Sequence, residues 1–551
     1  MILTMKRYSI LTAFICILAV SITSCDSVDF GDINEDDDAP QEANPEALMA
    51  NAMNQYFGLA GRSYQLNPTL YVQYQTQDTY TTEMRYGQNP YPWTAYYSGV
   101  LSNLDQVYGT TADAAGDPDV EAFGKAENQA AVANIFSAVV FKRITDTWGP
   151  APYKSADGEI GEALNAENNK APAYTDQETI YKNMISRVQS ARDNIIPGAA
   201  GPTGDVLYGG DMENWQKFAN SLILQMSLQL SEKYPSASGY AATQFNEALN
   251  HSAGVIDELS EEAWYNYENS PGQINPFTES RGADYHLSEG FTDALQAKTP
   301  QDSAIVYSFN GDGLKSMDER IKILSDDTSG TGVGGPYGTP GGGDGININN
   351  QTIWTAEGDL PYMTAAYTYL NRAEAANMGW TSENVDQMLR EGIMMSYATF
   401  DGRYDPYNEN DASVQTPNPD FDSGALQADG SNFATDRIAD ANDPNVAPGG
   451  YEQVIAEEKW VALFPNGFDA WAEWRRTSEK MSWGTSGEGY DIKGYPGLVP
   501  APSATNGGII PRRYIYPSTE AGVNTESYDN GVDLLSGDDD NTASFWWDPL
   551  Y

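Results

Sequence analysis

The chain has 551 residues, of which 40% are hydrophobic and 12% aromatic, so it carries enough apolar side chains to bury a large core. Its 30 Lys and Arg residues against 78 Asp and Glu residues give a formal net charge of −48, which argues against binding to nucleic acid. With only two histidines and two cysteines, a three-histidine zinc site and a disulfide framework are excluded.

The first 24 residues have the pattern of a secretory signal peptide. Lys6 and Arg7 precede an apolar run over residues 8–20, which is too short to cross a membrane as a helix. The run ends in Ile-Thr-Ser-Cys25, which is similar to a bacterial lipobox. We therefore expect residues 1–24 to be removed and Cys25 to carry lipid, the alternative being an ordinary signal peptide cut near Cys25.

Residues 25–44 are acidic and poor in apolar side chains, with a run of four acidic residues at 35–38. Like charges keep such a segment extended, so it is predicted to be a tether. Since no other hydrophobic span or internal linker is evident, residues 45–551 are predicted to form one soluble domain.

Apolar residues at helical spacing predict a mainly α domain. In chain order, the predicted helices cover residues 45–60, 120–144, 177–195, 211–231, 362–377, 382–399, 453–463 and 468–476. The fifth and sixth are joined through Gly379, and their small residues suit a close helix-turn-helix repeat. The Gly-rich stretch 326–345 and the Pro/Asn/Asp-rich stretch 404–450 are predicted to be long irregular loops.

Several segments, in order along the chain, carry a family resemblance. They are Gln75–Tyr80, Trp93–Tyr97, Asp146–Tyr153, Trp215–Leu222, Met363–Ala376, Glu458–Trp460, Phe464–Arg476 and Ile510–Tyr514. Together they resemble the SusD/RagB family of outer-membrane lipoproteins, although Pro150-Ala151 stands where Asp-Ile or Asp-Val is more usual.

The resemblance implies tetratricopeptide-like helix pairs whose long loops form a binding face. It also implies a non-catalytic, lipid-anchored protein at the cell surface, acting as a lid on a SusC-like TonB-dependent transporter. The function predicted is capture of an oligosaccharide or polysaccharide, with a neutral β-glucan such as laminarin as the guess. A peptide-binding, RagB-like lid and, less favoured, a surface glycoside hydrolase are the alternatives.

Catalytic and metal patterns are weak. Carboxylate pairs such as Glu457-Glu458 arise by chance among 78 acidic residues, and the two histidines are given no catalytic role. Asn310, Asp312 and Glu319 have the spacing of a calcium loop, but Ser308 stands where such a loop begins with Asp. No cofactor is expected, apart from this weak calcium candidate.

Aromatic residues carry the binding prediction, because a ring face covers the apolar face of a sugar while polar groups satisfy its hydroxyls. The tryptophans on family helices are expected in the core: Trp148, Trp215, Trp460, Trp471 and Trp474. The glycan site is predicted at loop residues, with Asn89 and Asn266 as further hydroxyl contacts. These predicted loop residues are Trp93, Trp264, Trp354, Tyr80, Tyr267 and Asp78. The alternative for each of the aromatic clusters is that it covers the core from a loop, and Trp93 also resembles a helix-start position of the family.

Overall fold

The structure is a computed structural model that describes residues 44–59, 66–153, 161–164, 169–270, 272–279, 284–296, 317–341, 345–404, 423–481 and 491–550. Pro45–Tyr551 form one compact unit. None of the helices in the described ranges has an apolar stretch long enough to cross a membrane.

The N-terminal half of this unit is an array of helices, each packed on a neighbour. Its helices are α1 (Pro45–Gly58), α2 (Asn67–Tyr71), α3 (Ser102–Thr111), α4 (Pro118–Glu121), α5 (Ala126–Trp148), α6 (Gly161–Leu164), α7 (Gln177–Asn194), α8 (Met212–Gln229) and α9 (Tyr240–Leu249). A π-helical stretch, Tyr96–Leu101, leads into α3. Helix α5 packs on both α3 and α7, α7 packs on α8, and α8 packs on α9, so the core runs through the whole array.

A segment of short elements separates this array from a second group of long helices. The short helices are α10 (Pro276–Glu279), α11 (Glu289–Leu295) and α12 (Ile321–Leu324). The long helices are α13 (Ala365–Asn377), α14 (Val385–Tyr404), α15 (Ser423–Ala441), α16 (Gly450–Ala462) and α17 (Gly467–Arg476), followed by α18 (Glu520–Val523) and α19 (Thr525–Val532). Because α13 packs on α8, α14 and α16, it joins the two groups into one core.

Strands are short and occur as antiparallel pairs. They are β1 (Gln75–Gln77), β2 (Ala151–Pro152), β3 (Tyr174–Thr175), β4 (Ala263–Tyr265), β5 (Tyr285–Leu287), β6 (Leu360–Met363), β7 (Glu479–Met481) and β8 (Asp491–Lys493). The pairs are β1 with β5, β2 with β3, β4 with β6, and β7 with β8. Each pair joins two segments outside the helices through backbone hydrogen bonds.

Side-chain caps explain where several helices begin. Asp176, Asp211 and Thr364 each accept a backbone N–H from the first turn of α7, α8 and α13, respectively. Gly149 and Gly379, which follow α5 and α13, have φ of 98° and 70°, where a residue without a Cβ is favoured. The five tryptophans predicted to be structural are at most 2% exposed, which confirms their place in the core.

One stretch that was predicted to be an irregular loop contains a helix. Helix α15 lies within residues 404–450, and Phe433, Ala434 and Arg437 on it are buried. The Pro/Asn/Asp composition of the surrounding sequence hid this helix, because its apolar side chains are few. The helix that was predicted at 120–144 runs instead from Ala126 to Trp148.

Candidate functional site

Trp93 lies in the core rather than on a binding face. It is 4% exposed, and its ring contacts those of Trp148, Tyr174 and Tyr516 with centroids 5.6–5.9 Å apart. The predicted role of Trp93 as an exposed stacking platform is contradicted by this burial, because no ring face is left for a sugar. Asn89, also predicted here, is half-buried and donates to the Tyr91 hydroxyl at 3.4 Å.

Trp264 and Tyr267 are buried too, which contradicts their assignment as exposed platforms. Trp264 is 2% exposed on β4, its indole N–H donates to Glu262 at 2.9 Å, and the Arg403 guanidinium covers its ring at 4.8 Å. Tyr267 is 4% exposed, and its hydroxyl donates to the Phe57 carbonyl at 2.9 Å. Pairing of β4 with β6 draws this aromatic run against the helical body.

Tyr80 is the predicted aromatic residue that stands out from the surface. Its side chain is 50% exposed. The Asp284 carboxylate accepts the backbone N–H of Thr79 at 2.6 Å and that of Tyr80 at 3.1 Å, and the Asp284 carbonyl accepts the N–H of Asp78 at 3.0 Å. Charge-assisted hydrogen bonds to backbone N–H groups are strong, so the backbone under the Tyr80 ring is held in place.

Trp354 is half-buried and keeps part of its ring at the surface. Its ring leans on Phe277 and Tyr285, with centroids 5.3 and 6.0 Å apart and planes tilted by 36° and 40°. Its indole N–H donates no hydrogen bond to any described residue. Within the described ranges, this donor is therefore available to solvent or to a ligand. A partly exposed ring with a free polar edge is suited to a sugar.

Strands β1 and β5 bring Tyr80 and Trp354 to one end of the same strand pair. Gln77, the last residue of β1, is paired with Tyr285, the first of β5. Tyr80 follows Gln77 by three residues, and Trp354 packs on Tyr285. The strand pairing therefore connects the segment that carries Asp78 and Tyr80 to Trp354 through Tyr285, although more than 270 residues separate Tyr80 from Trp354 in sequence.

The Gly-rich loop completes this end of the strand pair. The N–H of Gly341 donates to the Asp78 carbonyl at 3.0 Å, and Thr76 donates to the Pro336 carbonyl at 3.0 Å. A Cβ at Gly334 would lie 2.4 Å from the Ser288 carbonyl oxygen, so this glycine allows the loop to approach the backbone beyond β5. We call Asp78, Tyr80, Tyr285, residues 334–341 of the Gly-rich loop and Trp354 the strand-end site.

A polar group beside this site consists of Asp359, Arg403 and Asn266, of which only Asn266 was predicted from the sequence. Asp359 lies five residues after Trp354, and burial raises its pKa to about 6, although Arg403 opposes the shift. Arg403 donates to Asp359 at 3.3 Å, and the Asn266 amide, once its nitrogen faces the carboxylate, donates to both Asp359 oxygens at 3.1–3.2 Å. Asp284, Tyr285 and Asp359 carry no sequence signal that separates them from other polar or aromatic residues.

The remaining predicted residues give no site. Cys25, Asn310 and Asp312 lie outside the described residues, and Glu319 forms an ion pair with Lys322. Within the described ranges, no group of three or more His, Cys, Asp or Glu side chains is arranged to hold a metal ion. His251 lies just beyond the end of α9, and His286 contacts Asn347 through Nδ1 at 2.9 Å.

The fold and the strand-end site define a class of protein. Proteins of this class have a helical array, and the long loops of the array carry surface aromatic residues. The chain belongs to the SusD-like family, whose model, described as "Starch-binding associating with outer membrane", matches residues 37–517. The predicted family and mainly α fold class are thereby confirmed. Among curated proteins, none matches the sequence significantly.

Solved structures show the same fold at low sequence identity. A chitin-binding protein is 21% identical with a TM-score of 0.67, over 92% of this chain and 100% of that one. A chitin-binding SusD homologue from Flavobacterium johnsoniae is 20% identical with a TM-score of 0.63, over 92% and 98%. A SusD homologue from Parabacteroides distasonis is 16% identical with a TM-score of 0.67, also over 92% and 98%.

Proposed function

We propose that this chain captures a neutral polysaccharide at the outer-membrane surface through the strand-end site, with Tyr80 and Trp354 as stacking platforms. The observation that carries the proposal is that Tyr80, which is half exposed, follows β1 at the end of the β1–β5 pair where the partly buried Trp354 packs on Tyr285. Asp78 and the indole N–H of Trp354, which bonds to no described residue, supply a hydrogen-bond acceptor and a donor for sugar hydroxyls.

The net charge of −48 favours an uncharged ligand, because an acidic surface repels anionic polymers such as alginate. Laminarin, a neutral β-glucan, was the guess from the sequence. Chitin is also neutral, and two of the similar structures are described as chitin-binding. Both polymers present apolar sugar faces to an aromatic ring, so both belong in the first test.

The test is native affinity electrophoresis in gels that contain laminarin or a soluble chitin derivative. We expect the wild-type protein to be retarded by one of them, and Tyr80→Ala and Trp354→Ala to be retarded much less. Trp546→Ala is the matched control, since Trp546 is also half-buried but packs on Tyr234 instead. Equal retardation of the wild-type protein and both site variants would contradict the proposal.

We further propose that the bound glycan is passed, uncleaved, to a SusC-like TonB-dependent transporter. Incubation of the purified protein with each polymer should release no reducing ends, whereas accumulation of products would favour the hydrolase alternative. Extraction in mild detergent should recover the protein together with a barrel protein of the SusC type, and recovery of the lipoprotein alone would count against this partner.

A further inference from the structure

A cavity of about 370 Å³ lies among the long helices, away from the strand-end site. Helices α3 and α7 both pack on α5, and the cavity is the space between them. Its floor is a stripe of α5 residues at helical spacing, Ala130, Ala131 and Asn134. Ala130 and Ala131 have short side chains, so they leave space above α5 in this stretch.

The walls of this cavity carry exposed polar and aromatic side chains that bond to no residue in the described ranges. Tyr108, on α3, is 40% exposed, and in the described part of the chain its side chain has no hydrogen bond, ion pair or ring contact. On α7, the side chains of Ser186, Ser190 and Asn194 line the cavity and likewise bond to no described residue. A ligand could therefore bind without first breaking contacts at these four side chains.

Two charged residues of opposite sign face the same space. Glu127 Oε2 forms an ion pair with Lys125 Nζ at 3.6 Å and accepts no hydrogen bond from a described residue, while the side chain as a whole is 32% exposed. The Arg187 guanidinium donates to the side-chain amide oxygen, Oδ1, of Asn134. The ion pair with Lys125 is longer than a hydrogen bond, so Glu127 Oε2 can still accept one from a ligand hydroxyl in the cavity. Charges of both signs favour a ligand that has no net charge but carries many donors and acceptors.

We infer that this cavity is a second carbohydrate site, which holds one or two units of a neutral sugar with the ring of Tyr108 against a sugar face. A hydroxyl would donate to Glu127, and Arg187 and Asn194 would contact sugar oxygens. The volume lies at the small end of the range for ligand pockets, which fits a monosaccharide or disaccharide better than an extended peptide. The inference stands on these helices alone and does not depend on the proposed strand-end site.

Saturation-transfer NMR with laminaribiose and N,N′-diacetylchitobiose tests the inference. The full-length protein with Tyr80→Ala and Trp354→Ala removes the strand-end platforms, and we expect at least one disaccharide still to bind in this background. Adding Tyr108→Ala or Glu127→Gln should weaken that binding at least fivefold. Gln106→Ala, at an exposed position on α3 outside the cavity lining, is the control and should leave it unchanged.

Absence of a signal from both disaccharides in this background would overturn the inference. Binding that Tyr108→Ala and Glu127→Gln leave unchanged, or a signal from trialanine but from neither sugar, would also overturn it. Retardation of the wild-type protein and of the Tyr108→Ala variant in polysaccharide gels reports on the strand-end site separately, so the two proposals can fail independently.

Discussion

Exposure, rather than residue type, separates the aromatic side chains that can meet a ligand from those that cannot. Trp93 is enclosed by other rings and Trp264 by a guanidinium, whereas Tyr80 is half exposed above a backbone that Asp284 holds. In the proposed site, the role of Asp284 is indirect, since it holds the backbone from which the Tyr80 side chain extends.

Asp359 lies near the site, and ionisation of its carboxyl group destabilises the folded state. Burial raises its pKa from 3.8 to about 6, so between these values the folded state binds a proton more tightly than the unfolded state. As pH rises through this window, ionisation of Asp359 lowers the free energy of unfolding of the wild-type protein. A neutral side chain at this position would not cause that loss. One pKa unit corresponds to about 1.4 kcal/mol.

We predict that Asp359→Asn becomes more stable relative to the wild-type protein as pH rises from 4 to 7.5. The relative gain in melting temperature across this range should be about 2 °C, since a chain of this size needs roughly 1 kcal/mol per degree. Thermal unfolding at several pH values measures it. Asp113→Asn, at an exposed position, should show no such trend, and an unchanged or falling difference for Asp359→Asn would contradict the prediction.

At the scale of elements, buried charges join the helices that hold the loops. Arg476, on α17, contacts Glu473 at 2.5 Å and reaches Glu374 on α13 at 2.6 Å. Lys459, on α16, contacts Glu374 at 2.5 Å and Glu473 at 3.4 Å. Removing one member of such a group leaves another charge buried without its partner, which costs about 3–5 kcal/mol.

The carboxylate of Glu473 makes this cluster pH-dependent. Burial alone would raise its pKa, but Arg476 and Lys459 outweigh burial and lower it from 4.5 to about 2. The folded state therefore favours the ionised form. Its contribution to stability is fully present above about pH 5 and is lost as pH falls toward 2.

We predict that Glu473→Gln lowers the melting temperature by roughly 3 °C at pH 7, and that this deficit shrinks by pH 3. Differential scanning calorimetry at both pH values would measure the change. Glu357→Gln, which alters an exposed carboxylate, serves as the control. A deficit that is equal at pH 3 and pH 7 would show that the lost charge is not its cause.

Local signals in the sequence predicted the helices better than the site. Asp211 before an amphipathic run and Gly379 after one are cap signals that depend on a few neighbouring residues, and the helices begin and end near them. Pairing of Gln77 with Tyr285 depends on contacts over 208 residues, which no local pattern encodes. Trp354 and Tyr80 could thus be named as candidates, but the strand pairing that connects them through Tyr285 could not be derived.

Burial of Trp264 illustrates the same limit. In sequence, Trp264 to Tyr267 is an aromatic cluster after a helix, as a loop platform would be. Only the β4–β6 pairing and the position of Arg403, on α14, show that the indole ring is covered. Long-range contacts determine which face of an aromatic residue remains free.

At the scale of the whole molecule, the proposed attachment to the membrane depends on Cys25. We predict that Cys25→Ala releases the protein from a membrane fraction after a salt wash, because the lipid on this residue is proposed to be the anchor. Cys16→Ala, which changes the apolar run but leaves the lipobox intact, should remain bound. Retention of Cys25→Ala in the washed membrane would contradict lipid anchoring at this position.

The central claim is that Tyr80, at the end of the β1–β5 pair, and Trp354, which packs on Tyr285 there, bind a neutral glycan. Isothermal titration calorimetry of the wild-type protein and of the Tyr80→Ala, Trp354→Ala double variant, against the oligosaccharide of whichever polymer retards the protein, tests it most directly. Stacking contributes about 0.5–1.5 kcal/mol per ring beyond the area buried, so we predict at least tenfold weaker binding by the double variant. An affinity within twofold of the wild-type value, in a variant as well folded as Trp546→Ala, would contradict the claim.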